Sequence, residues 1–272
     1  MNKKVALVTG ASSGIGFDTA IKLQEKGFIV YGAARRMDKL KELETYGIHI
    51  LSLDVTNETS MKSCVDTIIS KEGKIDILVN NAGYGSYGPI ETVSIKEARK
   101  QFDVNIFGLA QMIQLVLPVM RKQKFGRIIN ISSMGGKVYT PYGGWYHATK
   151  FALEALSDCL RLETKAFGID VVIIEPGGIK TEWGSIAANN LEKSTEGTDY
   201  ADGGKFAANR MKKTYESNRL SDPKIISKAI VKAATVKKPK TRYLLGFGAK
   251  PGVFMRRILS DRMYDRIIKK VM

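Results

Sequence analysis

From its first residues the chain alternates short runs that are apolar throughout with longer segments whose apolar residues recur at helical spacing. Strand-like runs read at 5–9, 28–34, 48–53, 75–79, 127–131, 169–174 and 241–246. Between them helices are predicted from the first glycine-rich turn to 26, then over 39–46, 59–70, 96–123, 146–167 and 222–236, with Pro118 as a kink. A strand apolar at every position must be covered on both faces, and helices between such strands supply the cover. Right-handed crossovers then give an α/β fold with one doubly wound parallel sheet of about seven strands. At 272 residues and 44% hydrophobic content, a single core can be filled without dividing the chain.

Two stretches break the rhythm. Residues 183–215 are polar and dotted with glycine, with only weak helical stretches, which points to a lid or binding loop. The reading is therefore one domain over 1–250, with a substrate-lid segment at 182–220, and an amphipathic helical tail over 251–272. In the tail, Phe254, Ile258, Leu259, Met263, Ile267 and Val271 fall on one helical stripe. Arg256, Arg257, Arg262, Arg266, Lys269 and Lys270 run beside it. Such a helix either docks on the domain or a partner subunit, or lies on a membrane surface.

The formal net charge of +16, from 43 basic and 27 acidic residues, brings nucleic acid and anionic membranes into question. The basic residues are spread along the chain without aromatic interleaving, so no nucleic-acid partner is expected. Cys64 and Cys159 lie far apart in helical patterns and read as reduced core thiols. The apolar run before the first glycine turn is too short for a signal-peptide core or a membrane span, so a soluble, cytoplasmic protein is expected. His49 and His147 make no zinc spacing with these cysteines, and no metal is predicted.

Two motifs carry chemistry. Thr9 to Gly16, TGASSGIG, follows the first strand and opens the first helix. Gly10 permits a tight turn, Gly14 a close approach of backbone to phosphate, and Gly16 close packing of helix on strand. A pyrophosphate would sit on free N–H groups at the positive helix end. The second motif is Tyr146-His147-Ala148-Thr149-Lys150, which sets a phenol and an amine one helical turn apart. A phenol titrates near pH ~10, and a neighbouring ammonium lowers that value toward useful acid–base range.

TGASSGIG, Asn80-Asn81-Ala82-Gly83, Asn105 in FDVN, Ser133 in ISS, YxxxK and Pro176-Gly177 occur in this order. Together they resemble the short-chain dehydrogenase/reductases, in the branch holding retinol-like and steroid-like enzymes, over roughly residues 1–182. The resemblance implies a Rossmann fold and a catalytic set of Asn105, Ser133, Tyr146 and Lys150. Tyr146 would be the general acid or base. Ser133 would hydrogen-bond the substrate oxygen, with Ser132 its competitor. Lys150 would hold the nicotinamide ribose, and Asn105 would carry a water-linked relay to it. Cofactor contacts would come from Gly10, Ser12, Ser13, Gly14, Ile15, Gly16, Asp54, Val55, Asn81, Ala82, Gly83, Tyr146, Lys150, Pro176, Gly177, Ile179 and Thr181, with Asp54 on the adenine amine and Thr181 on the carboxamide.

At the end of the second strand Ala34 stands where an NAD-preferring enzyme places an acid, and Arg35 follows it. An arginine there can clamp a 2′-phosphate through charge-assisted bonds, so NADP(H) is expected over NAD(H). Trp183, Ile186, Phe206 and Met211 in or near the lid imply an apolar, bulky carbonyl or alcohol substrate, and the resemblance implies one of steroid, retinoid or lipid type. Trp145, Tyr142, Tyr84 and Tyr87 either line its pocket or pack in the ordinary way. The expected activity is NADP(H)-dependent interconversion of a ketone or aldehyde with its alcohol. A cofactor-binding sensor with vestigial activity, or a membrane-surface reductase, are the alternatives. Following the family, a homodimer or homotetramer is expected, paired through the helices at 96–123 and 146–167.

Overall fold

The computed structural model describes residues 3–271 and shows a seven-stranded, wholly parallel sheet. In chain order the elements are β1 Val5–Thr9, α1 Gly14–Glu25, β2 Ile29–Ala34, α2 Met37–Glu44, β3 His49–Ser52, α3 Glu58–Glu72 and β4 Ile77–Asn80. Next come α4 Ile95–Phe102, a π-helical segment Asp103–Gly108, α5 Leu109–Gln123, β5 Gly126–Ile131, a 3₁₀ turn Met134–Gly136, α6 Gly144–Thr164 and β6 Ile169–Pro176. The chain closes with α7 Trp183–Thr195, α8 Ala201–Glu216, α9 Lys224–Thr235, β7 Arg242–Leu245, α10 Ala249–Ile258 and α11 Asp261–Val271.

The sheet order is β3-β2-β1-β4-β5-β6-β7. Successive residues of β1 feed opposite faces, as the pleat requires. Val5 and Leu7 join the core under α3, α5 and α6, while Ala6 and Val8 join the core under α1, α2 and α9. Truncating a wholly buried side chain such as Leu7 to alanine would cost about 2–5 kcal/mol. The chain leaves β1 in one direction and returns at β4 in the other. The carboxyl ends of these two strands therefore border the crevice where open α/β sheets bind ligands.

Four expectations need correction. The helix predicted over 96–123 departs from α geometry at Asp103–Gly108, whereas Pro118 lies inside continuous α5. At Gly108 a Cβ would press on the Val55 carbonyl, so the absent side chain lets this helix settle against the β3–α3 connection. The segment read as a lid loop is a pair of helices, α7 and α8. Its small residues are the reason: Ala187, Ala188, Ala207 and Ala208 are buried between them, Gly184 lies flat on Tyr215, and Gly204 on Thr195.

The tail is two helices, not one stripe. The break falls at Leu259, whose backbone is extended. Tyr264, absent from the predicted stripe, anchors it: the residue is 1% exposed, its ring meets Tyr139 edge-to-face at 5.0 Å, and its hydroxyl donates to the Tyr139 carbonyl. Phe254, Ile258 and Met263 are exposed, and the Val271 side chain lies outside the described residues. Cys159 is exposed as well, contrary to its reading as a core thiol, while Cys64 is buried. Among the described residues one helical run, Ile95–Gln123, is long and apolar enough to cross a membrane, but Met112, Ile113, Val116 and Met120 on it are core residues under the sheet.

Candidate active site

Gly10 and Gly14 both take positive φ, +65° and +58°, which favours glycine. A Cβ on Gly10 would stand 2.9 Å from the Ala82 Cα, so the turn after β1 can close on the end of β4 only without a side chain. Asn81 locks this junction by donating from Nδ2 to the Thr9 and Gly10 carbonyls at 3.0 and 3.1 Å. Thr9 Oγ1 accepts from the backbone of Asn81 and Ala82. Gly16 does not border the crevice; a Cβ there would strike Asn81 and the Gly10 carbonyl, which fits its role in helix–strand packing.

The crevice is one continuous cavity of about 920 Å³. Ser12, Ser13, Gly14, Ile15, Asp54, Val55, Ala82, Gly83, Pro176, Gly177, Ile179 and Thr181 all border it, as do Tyr146, Lys150 and Ser133. Its mouth near β2 carries two arginines. Arg36 Nη2 donates to the hydroxyls of Ser12 and Ser13 at 3.1 and 3.2 Å. Sequence reasoning chose Arg35 as the phosphate clamp. The structure shows that Arg36 is the one gathered with two hydroxyls, while Arg35 lies nearer Asp54 and Tyr84. Burial raises the affinity of Asp54 for its proton, but hydrogen bonds from the Thr56 amide and hydroxyl, with Arg35 nearby, hold the carboxyl below its ordinary value. A glycine cradle under a helix N-terminus, with hydroxyls and cations at one end, suits a dinucleotide.

At the cavity floor, Ser133 Oγ accepts the Gly135 amide at 3.0 Å, donates to the Pro176 carbonyl at 3.4 Å, and lies close enough to the Tyr146 hydroxyl to lower its pKa. Ser132 Oγ is instead buried without a partner against the Gly136 side, so Ser133 is the serine that meets the tyrosine. Tyr146 is buried among the rings of Trp183 at 5.1 Å and Tyr87 at 5.7 Å.

The acidity expected of that phenol is not what the structure shows. Burial pushes Tyr146 up to about 12, and only the neighbouring Ser133 hydroxyl works downward. Lys150 lies 5.9 Å from the ring centroid and donates from Nζ to the Ile131 carbonyl at 2.9 Å. Its own value falls to about 8, burial being the main cause and Glu154 opposing it. Asn105 is 1% exposed and its side chain is occupied: Oδ1 accepts the Tyr84 amide, and Nδ2 donates to the Tyr84 carbonyl and Thr149 Oγ1. It braces the loop over the site and makes no direct bond to Lys150.

The sequence model of the family described as short chain dehydrogenase matches residues 4–191. The chain belongs to the short-chain dehydrogenase/reductase family. It is 40% identical to a Bacteroides thetaiotaomicron 3-ketodihydrosphingosine reductase, over 90% of this chain and 89% of that protein. It is 36% identical to an Ornithobacterium rhinotracheale NADPH-dependent 3-dehydrocapnine reductase, covering 98% of this chain and 96% of the other. A Streptomyces avermitilis short-chain dehydrogenase structure covers all of this chain and 97% of its own at TM-score 0.83 and 32% identity. The family binds NAD(P) and acts on small molecules at a CH–OH group or the corresponding carbonyl.

In this family member Trp183, Ile186 and Met211 border the cavity, while Phe206 is exposed outside it. Met134, Tyr87, Val138, Thr140, Arg210, Thr214 and Tyr215 complete the wall beside the lid, and Tyr84 borders the cavity with its hydroxyl on Glu97. Trp145 packs on Phe102 and Tyr142 against Gly203, both away from the cavity. His147 is structural: the Thr140 amide donates to Nε2 at 3.1 Å, so Nδ1 carries the proton bonded to the Gly135 carbonyl at 2.9 Å. Tyr215 and Arg36 were not singled out in the sequence. Only the arginine left a signal, as the second of two adjacent cations.

Proposed function

We propose that this protein is an NADP(H)-dependent reductase of an apolar, long-chain ketone, working through Tyr146. The observation that carries the reading is the Ser133–Tyr146 hydroxyl pair on the floor of the cavity that also holds the glycine turn. An aromatic wall of Tyr87, Trp183 and Tyr215 faces that pair and would receive hydrocarbon. Two relatives, named as a 3-ketodihydrosphingosine reductase and an NADPH-dependent 3-dehydrocapnine reductase, support the substrate class and the cofactor.

The bound cofactor would supply hydride to the carbonyl carbon, chemistry the protein has only to orient. As negative charge grows on the carbonyl oxygen, Ser133 and Tyr146 both donate hydrogen bonds to it. Tyr146 then gives up its proton to that oxygen, completing the alcohol. A phenol near 12 is fully protonated at neutral pH, which suits it as an acid in reduction. Lys150 would hold the ribose and re-supply charge beside the phenolate. Arg36, Ser12 and Ser13 would hold the 2′-phosphate, with Arg35 as a second cation.

The test is NADPH consumption with long-chain 3-ketones of increasing length, parent against Tyr146→Phe. We expect the variant to lose about 10²–10⁴-fold in kcat. Equal turnover would remove Tyr146 from the mechanism.

A second reading concerns where the enzyme works. Phe254 and Ile258 are 62% and 60% exposed on α10, and Lys250 and Arg257 share a surface hollow with Phe254. This combination favours contact with an anionic lipid surface by a cytoplasmic protein.

A further inference from the structure

Behind the active site lies a buried cluster of charged side chains that the mechanism above does not use. Glu154 on α6 and Glu175 on β6 are 4% and 3% exposed. Arg242 on β7 sits between them, with Nε and Nη2 each 3.1 Å from Glu154 Oε2 and Nε 3.4 Å from Glu175 Oε1. Its Nη2 also donates to Asp158 at 2.6 Å, and Asp158 accepts from Arg161. Lys137 reaches Glu154 Oε2 at 3.0 Å. With every acid ionised, Glu154 Oε1 and Glu175 Oε1 are both buried and lack a hydrogen-bond donor. Two such carboxylates side by side are costly, and one proton cures both defects by turning one carboxyl into a donor to the other.

We propose that Glu154 and Glu175 hold one proton between them, and that Glu175 is thereby a positioning residue for Lys150 and the loop bearing Ser133. The pair touches both supports of the site. Glu154 is one turn along α6 from Lys150, and its Cγ, the Lys150 carbonyl and Ser132 Oγ all crowd Gly136. Glu175 directly precedes Pro176, whose carbonyl faces Ser133 Oγ. The charged groups facing Glu175 are Glu154 from α6, Lys137 just after the 3₁₀ turn, and Arg242 from β7. Burial first, then the Glu154 charge, pushes Glu175 up to about 7. When Glu175 ionises, the added negative charge holds the ammonium on Lys150 to higher pH.

This inference rests on the reductase reading, but its test does not depend on turnover. Infrared difference spectroscopy of the parent should show a protonated carboxyl band that vanishes near pH 7, and the same band should be absent in Glu175→Gln. NADPH binding, measured by fluorescence against pH, should weaken on the basic side on the order of one pH unit earlier in Glu175→Gln. A parent without such a band overturns the shared proton, whether or not Glu175→Gln folds. A folded Glu175→Gln with an unmoved binding profile overturns the link to Lys150. If the parent turns over no ketone, the reductase reading fails while the infrared band still decides the proton.

Discussion

Lys150 stands 5.9 Å from the centre of the Tyr146 ring and spends its ammonium on the Ile131 carbonyl. Phenol and amine are neighbours on one helical face, not a bonded pair, and burial acts on them in opposite directions. It pushes the phenol up to about 12 and the amine down to about 8. Reduction, which needs a protonated phenol beside a charged lysine, should be level at neutral pH and fall as pH rises through about 8. Oxidation of the alcohol, which needs the phenolate, should rise across the same range. Matched pH profiles of kcat/KM in the two directions check this; two profiles falling together would contradict it.

The same lysine gives a stability test. Its value in the fold is depressed below that of the unfolded chain, so the unfolded state binds the proton more tightly between about 8 and the ordinary lysine value of about 10.5. Stability from this group therefore rises with pH across that window. Lys150→Met removes the linkage, and its denaturation midpoint should gain less than the parent's between the two ends of the window. Parallel gains would show that Lys150 is not held at a depressed value.

Arg36 is placed to decide cofactor choice because it alone of the two arginines joins the Ser12 and Ser13 hydroxyls. A charge-assisted hydrogen bond is worth about 1.5–3 kcal/mol, or on the order of 10–100-fold. Arg36→Ala should raise the NADPH KM by that factor and leave NADH nearly unchanged, with Arg35→Ala doing less. Steady-state kinetics with both cofactors settles it, and equal losses with NADH would assign Arg36 to the shared part of the dinucleotide.

Most of the sheet was legible because its strands are apolar at every position and its turns are spaced by glycine. The π segment was not, because DVNIFG keeps the apolar rhythm of a helix and the irregularity is imposed by contact at Gly108. The lid was misjudged for a related reason. Glycine and alanine look like loop residues one at a time, yet Gly184, Ala187, Ala207 and Ala208 are what allow two helices to close on each other. Tyr264 leaves no mark in the stripe of aliphatic residues, because the anchor is one aromatic ring with its hydroxyl satisfied. The Ser133 and Tyr146 roles could be carried over from family motifs. The acidity of Tyr146 could not, since it depends on how deeply the fold buries the phenol.

Gly184 supplies the last test, because it couples lid packing to the substrate cavity. A Cβ at this position would fall within the ring of Tyr215, and Tyr215 in turn packs on Trp183 at 6.3 Å, the ring that faces Tyr146. Gly184→Ala must therefore displace Tyr215, and overpacking of this kind costs about 1–3 kcal/mol. The displaced ring should enter or deform the wall of the cavity while the glycine turn and Arg36, on the far side, are untouched. We expect a raised KM for long-chain ketones with little change in NADPH KM, and a smaller effect on short ketones that never reach Tyr215. A variant in which all three constants move together would mean that the hairpin governs the whole cleft and not the substrate end alone.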